Sequence, residues 1–579
     1  MPESKLAVRF FLFNVIIYNN MDMKKEIMKN IIIFILLLII TLGVFQYTIA
    51  IRKPWFNTIS EGRHQWLSGA TLKYSRMWWQ DGILNSKFLL LSNPKSVEFP
   101  NLSSRIPELS YPVGSIIPIY LISKIIRQEP SLTMIMGYNL LNHFLITFIL
   151  SLTIFIFLKK LDINYIYSFT LSIIPILTEL FLPGPLYWHQ NVFFADQAVI
   201  LPFVLIIFFE LLTDDIKNKK LSKLINILSS VTFFYGMITD WLFIFIALTI
   251  YIKRIILEKN KKNYSKLIRQ SIIFWLPISI GLILHFIQIL RFSSIDFIVN
   301  KLNYYSIIGF NSKIFEFSVT FWLGYMSTYF GRAGSIMLMG SIFLFILILI
   351  QAIILKKQGK NIDIKIKKII VFISIAIFPC LLQIYTFPHH SYVHDFSTLK
   401  FSIPLAFLPF ILIPLAVSFL FKLKIELNKI NIKATLIIVI ILISAGVYVF
   451  IEHRRFSAIF PIPNRTYQSI GIFISQNSKY EDVIFSPDTQ ILDNPPQLLS
   501  LAMKRIYKIN SLDEIMEKTE NIKQIFKINI FLTSKNINNN ISGLEELISN
   551  ADELIEDKKN DFYLYKIPAD KFLKVYNTI

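Results

Sequence analysis

Apolar runs of about twenty residues recur along this chain, and short lysine clusters close them at one end. A run of that length crosses the ~30 Å hydrocarbon core of a bilayer as one helix. The first covers about Ile31 to Ile51. Others cover about Met134 to Leu158, Ile163 to Leu182, Ala198 to Leu212 and Ser271 to Leu290. The last four cover about Ser335 to Leu355, Ile369 to Tyr385, Phe401 to Phe421 and Ala434 to Ile451. Two shorter runs flank a turn at Thr239–Trp241. The pattern predicts about eleven transmembrane helices. One further apolar stretch, Tyr111 to Pro130, is interrupted by Pro112 and Pro118 and carries Lys124 and Arg127. It reads as a helix lying on the membrane surface rather than a span.

The lysines orient the helices. Lys24, Lys25 and Lys29 precede the first run, Lys159 and Lys160 close the second, and Lys217, Lys219 and Lys220 close the fourth. The turns around Trp188, Asp240 and His394 hold almost no lysine or arginine. Loops rich in Lys and Arg stay in the cytoplasm, so the N-terminus is expected inside. An odd number of spans then puts the C-terminus outside. From Glu452 the pattern changes. Strand-like alternation in "EDVIFSPD", "INIFLTS" and "DFYLYKIP" alternates with the helical period of "LDEIMEKTENIKQI", which predicts a small α/β domain. Three parts result: a cytoplasmic N-terminus (1–29), a helical membrane domain (30–451) with a large outer loop (52–133), and an extracytoplasmic α/β domain (452–579). The stretch "MDMKKEIMKN" has the look of a natural start, so translation is expected to begin at Met21 or Met23.

Composition supports a polytopic protein of the cell (plasma or inner) membrane. The chain is 54% hydrophobic and 15% aromatic, with a mean hydropathy of +0.54; soluble domains average roughly 45–50% apolar. The net charge of +21 would fit a nucleic-acid binder, but the cations sit between spans as membrane topology requires. No nucleic-acid partner is expected. One cysteine, Cys380, leaves no disulfide framework and no cysteine metal site.

The chemistry-bearing residues gather on the predicted outer side. The segment "ISEGRHQW", just after the first span, places Glu61, Arg63 and His64 together. Asp196, Asp240 and Asp395 stand at the outer ends of later spans, and ionisable groups near membrane depth tend to line functional cavities. Asp240, in a tight turn, also suits a helix-capping role. His390 and His394 fall in "HHSYVHDF", whose spacing alone is a weak metal signal; hydrogen bonding to phosphate or sugar hydroxyls is the expected role. Arg332 and Lys400 are further outer cations. One carboxylate among several cations suits transfer from a phosphate-activated donor. The cations hold the phosphate and the carboxylate takes the proton of an attacking hydroxyl. No cofactor is expected, and a divalent cation is not required by this scheme.

With those residues in place, the chain resembles the GT-C superfamily of membrane glycosyltransferases, the class of protein O-mannosyltransferases and lipid A aminoarabinose transferases. The layout carries the resemblance: an acid after the first span ("ISEGRHQW"), a proline-bearing segment in the first outer loop ("YPVGSIIPIYL"), a second acid after the third span ("WHQNVFFADQ"), a late loop "HHSYVHDF" and an outer domain. The resemblance implies that a first-loop acid is the catalytic base. Glu61 holds that position, with Asp81 and Glu108 as rivals in the same loop, and Asp196 is the second acid. It implies a polyprenyl-phosphate sugar as donor and a glycan, lipid or protein as acceptor, with membrane lipids around them. Direct displacement with a single base implies inversion. A glycan ligase or polymerase and a lipid-linked glycan flippase are the rival readings.

Overall fold

The computed structural model describes residues 21–59, 62–213, 218–258, 264–305, 313–421, 426–462, 465–480, 482–487, 495–520, 527–533, 541–558 and 560–578. The expected start of translation concerns residues 1–20, which lie outside them. So does Glu61.

Among the described residues, eight helices are long and apolar enough to cross a membrane. In chain order the helices run α1 (Met21–Arg52), α2 (Gln65–Asp81), α3 (Ile116–Ile126) and α4 (Leu132–Lys160). Next come α5 (Tyr165–Phe181) and α6 (Pro183–Asn191), a pair bent by 60° that counts as one broken span, and α7 (Ala195–Thr213). Two shorter helices, α8 (Lys219–Met237) and α9 (Leu242–Glu258), flank Asp240. Then follow α10 (Tyr264–Phe292), α11 (Ile295–Tyr305) and α12 (Ile314–Lys357). The last of the membrane part are α13 (Ile364–Thr386), α14 (Pro388–Val393), α15 (Asp395–Leu420) and α16 (Ile432–Ile459).

Polar residues set the helix starts. Ser131, Asn218, Asp363 and Asn431 each cap a helix by accepting a backbone N–H from its first turn, which satisfies donors that have no intrahelical partner. Proline interrupts α10 at Pro277 and α13 at Pro379. Gly331 breaks α12 with φ +78. The core between the helices is apolar and aromatic, with Trp78, Trp188, Tyr329 and Phe203 fully buried.

Two expectations change here. The stretch from 291 to 333, left between the predicted spans Ser271–Leu290 and Ser335–Leu355, contains α11 and the first turns of α12, which starts at Ile314 rather than Ser335. The amphipathic pattern of Ile295–Tyr305 was hidden behind the polar residues that interrupt it. The loop expected on the outer side, between α1 and α4, also holds a 17-residue helix, α2. The short helix α3 in the same loop, 11 residues, is well below the ~20 needed to span.

The C-terminal region folds around a five-stranded sheet. After a two-residue ladder in the first loop, β1 (Leu90–Leu91) with β2 (Pro107–Glu108), the strands are β3 (Asp482–Ser486), β4 (Ile506–Lys508), β5 (Lys527–Thr533), β6 (Glu553–Asp557) and β7 (Phe562–Pro568). Their order is β4-β3-β5-β7-β6. The β3 pairings are parallel, and β7 pairs antiparallel with both β5 and β6. Helices α17 (Thr466–Asn477), α18 (Pro496–Ala502), α19 (Leu512–Glu520), α20 (Leu544–Ser549) and α21 (Ala569–Tyr576) accompany it.

This region is seated on the segment between α1 and α4. A Cβ on Gly69 of α2 would lie 2.7 Å from the Gln497 amide nitrogen in α18, so glycine permits the close approach. Arg76 donates to the Ser500 carbonyl at 2.8 Å. Gln468 accepts from the Ile59 amide and donates to the Asn57 carbonyl. Asn57 and Ile59 are thereby tied to α17.

Candidate active site

Three charged side chains from distant parts of the chain meet in the interior. Lys400 Nζ lies 2.7 Å from Asp196 Oδ1 and 3.4 Å from Asp240 Oδ1. Lys400 and Asp196 are each 1% exposed. Gln383 donates to Asp240 at 2.9 Å, and Asp240 accepts the Leu242 amide at 2.7 Å. The capping role expected of Asp240 is therefore present, and it starts α9. A buried carboxylate needs such partners. The group sums to two negative charges and one positive, so it is no anion cradle. Lys400 holds carboxylates and has no free face for a phosphate.

A second group adjoins it. Asp395 pairs with His64 Nε2 at 2.5 Å and accepts from the Tyr329 hydroxyl at 2.5 Å. His64 sits with φ +60 at the N-terminal cap of α2. A non-glycine residue in that region is strained, at about 1–2 kcal/mol, and the Asp395 pair holds it there. The Arg63 guanidinium lies over the Tyr329 ring at 5.9 Å. Tyr329 also packs on Trp188, ring centres 4.2 Å apart, and the break at Gly331 follows two residues later. Asp395 keeps 23% exposure, so this carboxylate is open to a ligand while Asp196 is not.

The third group is aromatic and imidazole. The His390 Nε2 and Tyr111 hydroxyl are 3.1 Å apart. Burial pushes His390 down to about 3 and, with Asp196 nearby, pushes Tyr111 well up. Both are neutral at ordinary pH. His394 stacks on Phe396 and lies 4.8 Å, centre to centre, from His390; burial lowers it too. The proline of this loop does not prevent a helix. Pro388 opens α14 at its first position, where a missing N–H costs nothing.

Asp240 and Gln383 of the first group and Tyr111 and His390 of the third line a cavity of about 130 Å³. Phe286, Ile289, Phe297, Ile298 and Leu302 form its apolar wall, contributed by α10 and α11. Tyr111, Asp240, Gln383 and His390 form its polar end, and Lys301 of α11 also lines it. The Lys301 ammonium rests 5.5 Å from the Tyr305 ring centre.

One further buried cluster lies behind the site. His143, Glu179 and His189 bring their ligand atoms within 4.8 Å of one another, close enough to share a metal ion. Their surroundings do not favour a dication. Arg52 Nη1 donates to His143 Nδ1 at 3.0 Å, and His143 Nε2 lies 2.9 Å from the Glu179 carbonyl, so both ring nitrogens are engaged. The two imidazoles are stacked at 4.5 Å, and a guanidinium stands where a cation would be repelled.

Of the residues singled out from sequence, Arg63, His64, Asp196, Asp240, His390, His394, Asp395 and Lys400 belong to these adjoining groups. Arg332 does not: it is exposed on α12 just past the Gly331 break, with no hydrogen bond or ion pair to the others among the described residues. Sequence reasoning missed Tyr329, Gln383 and Lys301. Tyr329 lies in an aromatic run, "FWLGYMSTYF", that reads as interface packing.

No protein-family model matches this chain, and no curated protein sequence does. Similar solved structures exist. ArnT from Cupriavidus metallidurans in the apo state matches 92% of this chain and 97% of its own, with a TM-score of 0.50 at 10% identity. The same ArnT bound to undecaprenyl phosphate matches with a TM-score of 0.48 at 11% identity, over 92% and 98% of the two chains. The archaeal oligosaccharyltransferase AglB from Archaeoglobus fulgidus, in complex with an inhibitory peptide and a dolichol-phosphate, matches 86% of this chain and 69% of its own, with a TM-score of 0.49 at 10% identity. The fold is that of the GT-C membrane glycosyltransferases, as the layout of the sequence implied.

Proposed function

We propose that this chain is a membrane glycosyltransferase. It moves a sugar from a polyprenyl-phosphate carrier to a hydroxyl of a cell-envelope glycan, lipid or protein on the outer face of the membrane. The observation that supports this most is the cavity: an apolar wall that meets carboxylate, imidazole and phenol groups at one end. A polyprenyl chain suits the wall, and a sugar suits the polar end. The fold supports the class of reaction, and ArnT, whose fold this chain shares, is a protein that binds undecaprenyl phosphate.

The reaction in this scheme is one displacement. The acceptor oxygen attacks the anomeric carbon, the bond from that carbon to the phosphate oxygen breaks, and the polyprenyl phosphate leaves with the electron pair. A carboxylate takes the hydroxyl proton. Glu61 remains the first candidate for that base, since Gly62 and then Arg63 and His64 follow it directly in sequence. Asp395, the more open of the described carboxylates, is its rival. Asp196 and Asp240 are held by Lys400 and serve as a rigid floor. Phosphate binding passes from Lys400 to Lys301 and Arg63, cations with no ion-paired carboxylate among the described residues. Neutral His390 and Tyr111 hydrogen-bond sugar hydroxyls.

A photoactivatable undecaprenyl phosphate tests the site. In reconstituted protein it should label peptides of Ile295–Tyr305, and Lys301→Ala should weaken binding about tenfold, the worth of one charge-assisted bond. Labelling confined to other helices would remove the cavity from the account.

A further inference from the structure

The far end of the molecule carries a second polar groove. Helix α8 has 19 residues and ends at Met237, beside Asp240. At 1.5 Å per residue, its first residue, Lys219, lies about 27 Å from that end, close to one bilayer thickness. There a groove of about 570 Å³ runs between α8 and α10. Lys219 and Lys223 line it, and Arg269 of α10 lines a hollow that continues it past Ile273. No carboxylate among the described residues pairs with these three cations.

Two features separate this groove from an ordinary basic loop. The first turn of α8 holds no acid, although the helix dipole is positive there. Cations are therefore stacked on a helix end that already favours an anion. Ser222, Asn226 and Ser230 follow one another at four-residue spacing and line the same groove, so they share one face of the helix. That face points away from the helical core, and Asn226 is exposed. A polar stripe facing hydrocarbon is costly unless something satisfies it. Ile227, Val231 and Ile273 flank the stripe.

We infer that this groove binds an anionic phospholipid of the surrounding membrane. Its phosphate sits among Lys219, Lys223 and Arg269, its glycerol ester oxygens accept from the Ser222 and Asn226 side chains, and its acyl chains lie along the isoleucines and valine. Basic pockets between membrane helices bind such headgroups, and each cation near the surface strengthens the attraction. The site is separate from the sugar-transfer site and does not rest on that reading.

Native mass spectrometry of the full chain, released from nanodiscs of equal phosphatidylglycerol and phosphatidylcholine, tests it. Wild type should retain the anionic lipid with roughly a hundredfold preference, as three cations allow. The exposed-charge variant Lys219→Gln/Lys223→Gln/Arg269→Gln should bring the two lipids to near parity. Lys356→Gln/Lys357→Gln, basic residues outside the groove, should leave the preference intact. Parity in wild type overturns the site. So does an undiminished preference in the triple variant. Displacement of the lipid by millimolar inorganic phosphate would make this a phosphate site and overturn the lipid assignment.

Discussion

Replacing Lys400 by methionine keeps most of the side-chain volume and removes one buried charge. The wild-type ammonium faces Asp196 at 2.7 Å and Asp240 at 3.4 Å. At an effective dielectric of about 20 these contacts are worth about 6 and about 5 kcal/mol of Coulomb attraction. Desolvation of all three groups offsets most of that sum. What remains visible on mutation is the penalty of leaving carboxylates buried without a counter-charge, typically ~3–5 kcal/mol. Lys400→Met should therefore be strongly destabilising, measured as reversible unfolding in mixed micelles. Adding Asp196→Asn and Asp240→Asn to it should recover most of the loss, because the triple variant buries no charge. Each aspartate variant alone leaves Lys400 one partner and should cost less than Lys400→Met. If Lys400→Met costs under ~1 kcal/mol, or if the triple variant is no more stable than the single, the ion group does not hold these helices together.

Tyr329→Phe keeps the ring on Trp188 but deletes the bond to Asp395, so it should lower sugar transfer by about 10–100-fold, the 1.5–3 kcal/mol of a bond to a charged group, with little change in unfolding; unchanged turnover would refute the role. Gly331→Ala places a Cβ 1.9 Å from the Glu452 carboxyl carbon at φ +78 and should cost ~2 kcal/mol or more. Gly340→Ala, with open space around it, should be neutral or stabilising by up to ~1 kcal/mol, and equal effects at the two positions would contradict the packing. His390 is held near 3 in the fold against about 6.5 unfolded, so the unfolded chain binds the extra proton between those values. Stability should be full above pH 6.5 and fall as the pH drops toward 3, by at most a few kcal/mol. In His390→Gln that slope should flatten, and identical pH profiles would refute the burial argument.

Much of the membrane part was legible from hydropathy because a bilayer leaves a chain few options: every backbone group must bond within a helix. Of the broken span, only α5 was readable, as the run Ile163 to Leu182; α6 fell in the stretch around Trp188 that reads as a turn between spans. Helix α2 was not legible. It is amphipathic against protein on all sides, with Lys73 and Tyr74 both buried, and its charged positions imitate a loop. Helix α11, which has no buried residue, hid because its polar positions imitate a loop. The acids and histidines of the site could be listed because the charge pattern predicts one shared side of the membrane for them, where charge is costly and therefore meaningful. Their grouping could not. Nothing in "STLKFS" says that Lys400 is spent on two aspartates, because that follows from helix packing across about 160 and 200 residues of sequence. Tyr329 and Lys301 stayed unseen because an aromatic run and a lone lysine each have a commoner explanation at a membrane surface.

The claim of sugar transfer is tested most directly in proteoliposomes loaded with a panel of polyprenyl-phosphate sugars and a mixture of envelope acceptors. Wild type should release free polyprenyl phosphate from one donor, with the sugar appearing on an acceptor in inverted configuration. Glu61→Gln should fold normally and lose at least about 100-fold in rate, the usual worth of a positioned base. The account is contradicted if donors are moved across the bilayer with the sugar–phosphate bond intact, because the protein would then be a carrier of lipid-linked sugar and not a transferase.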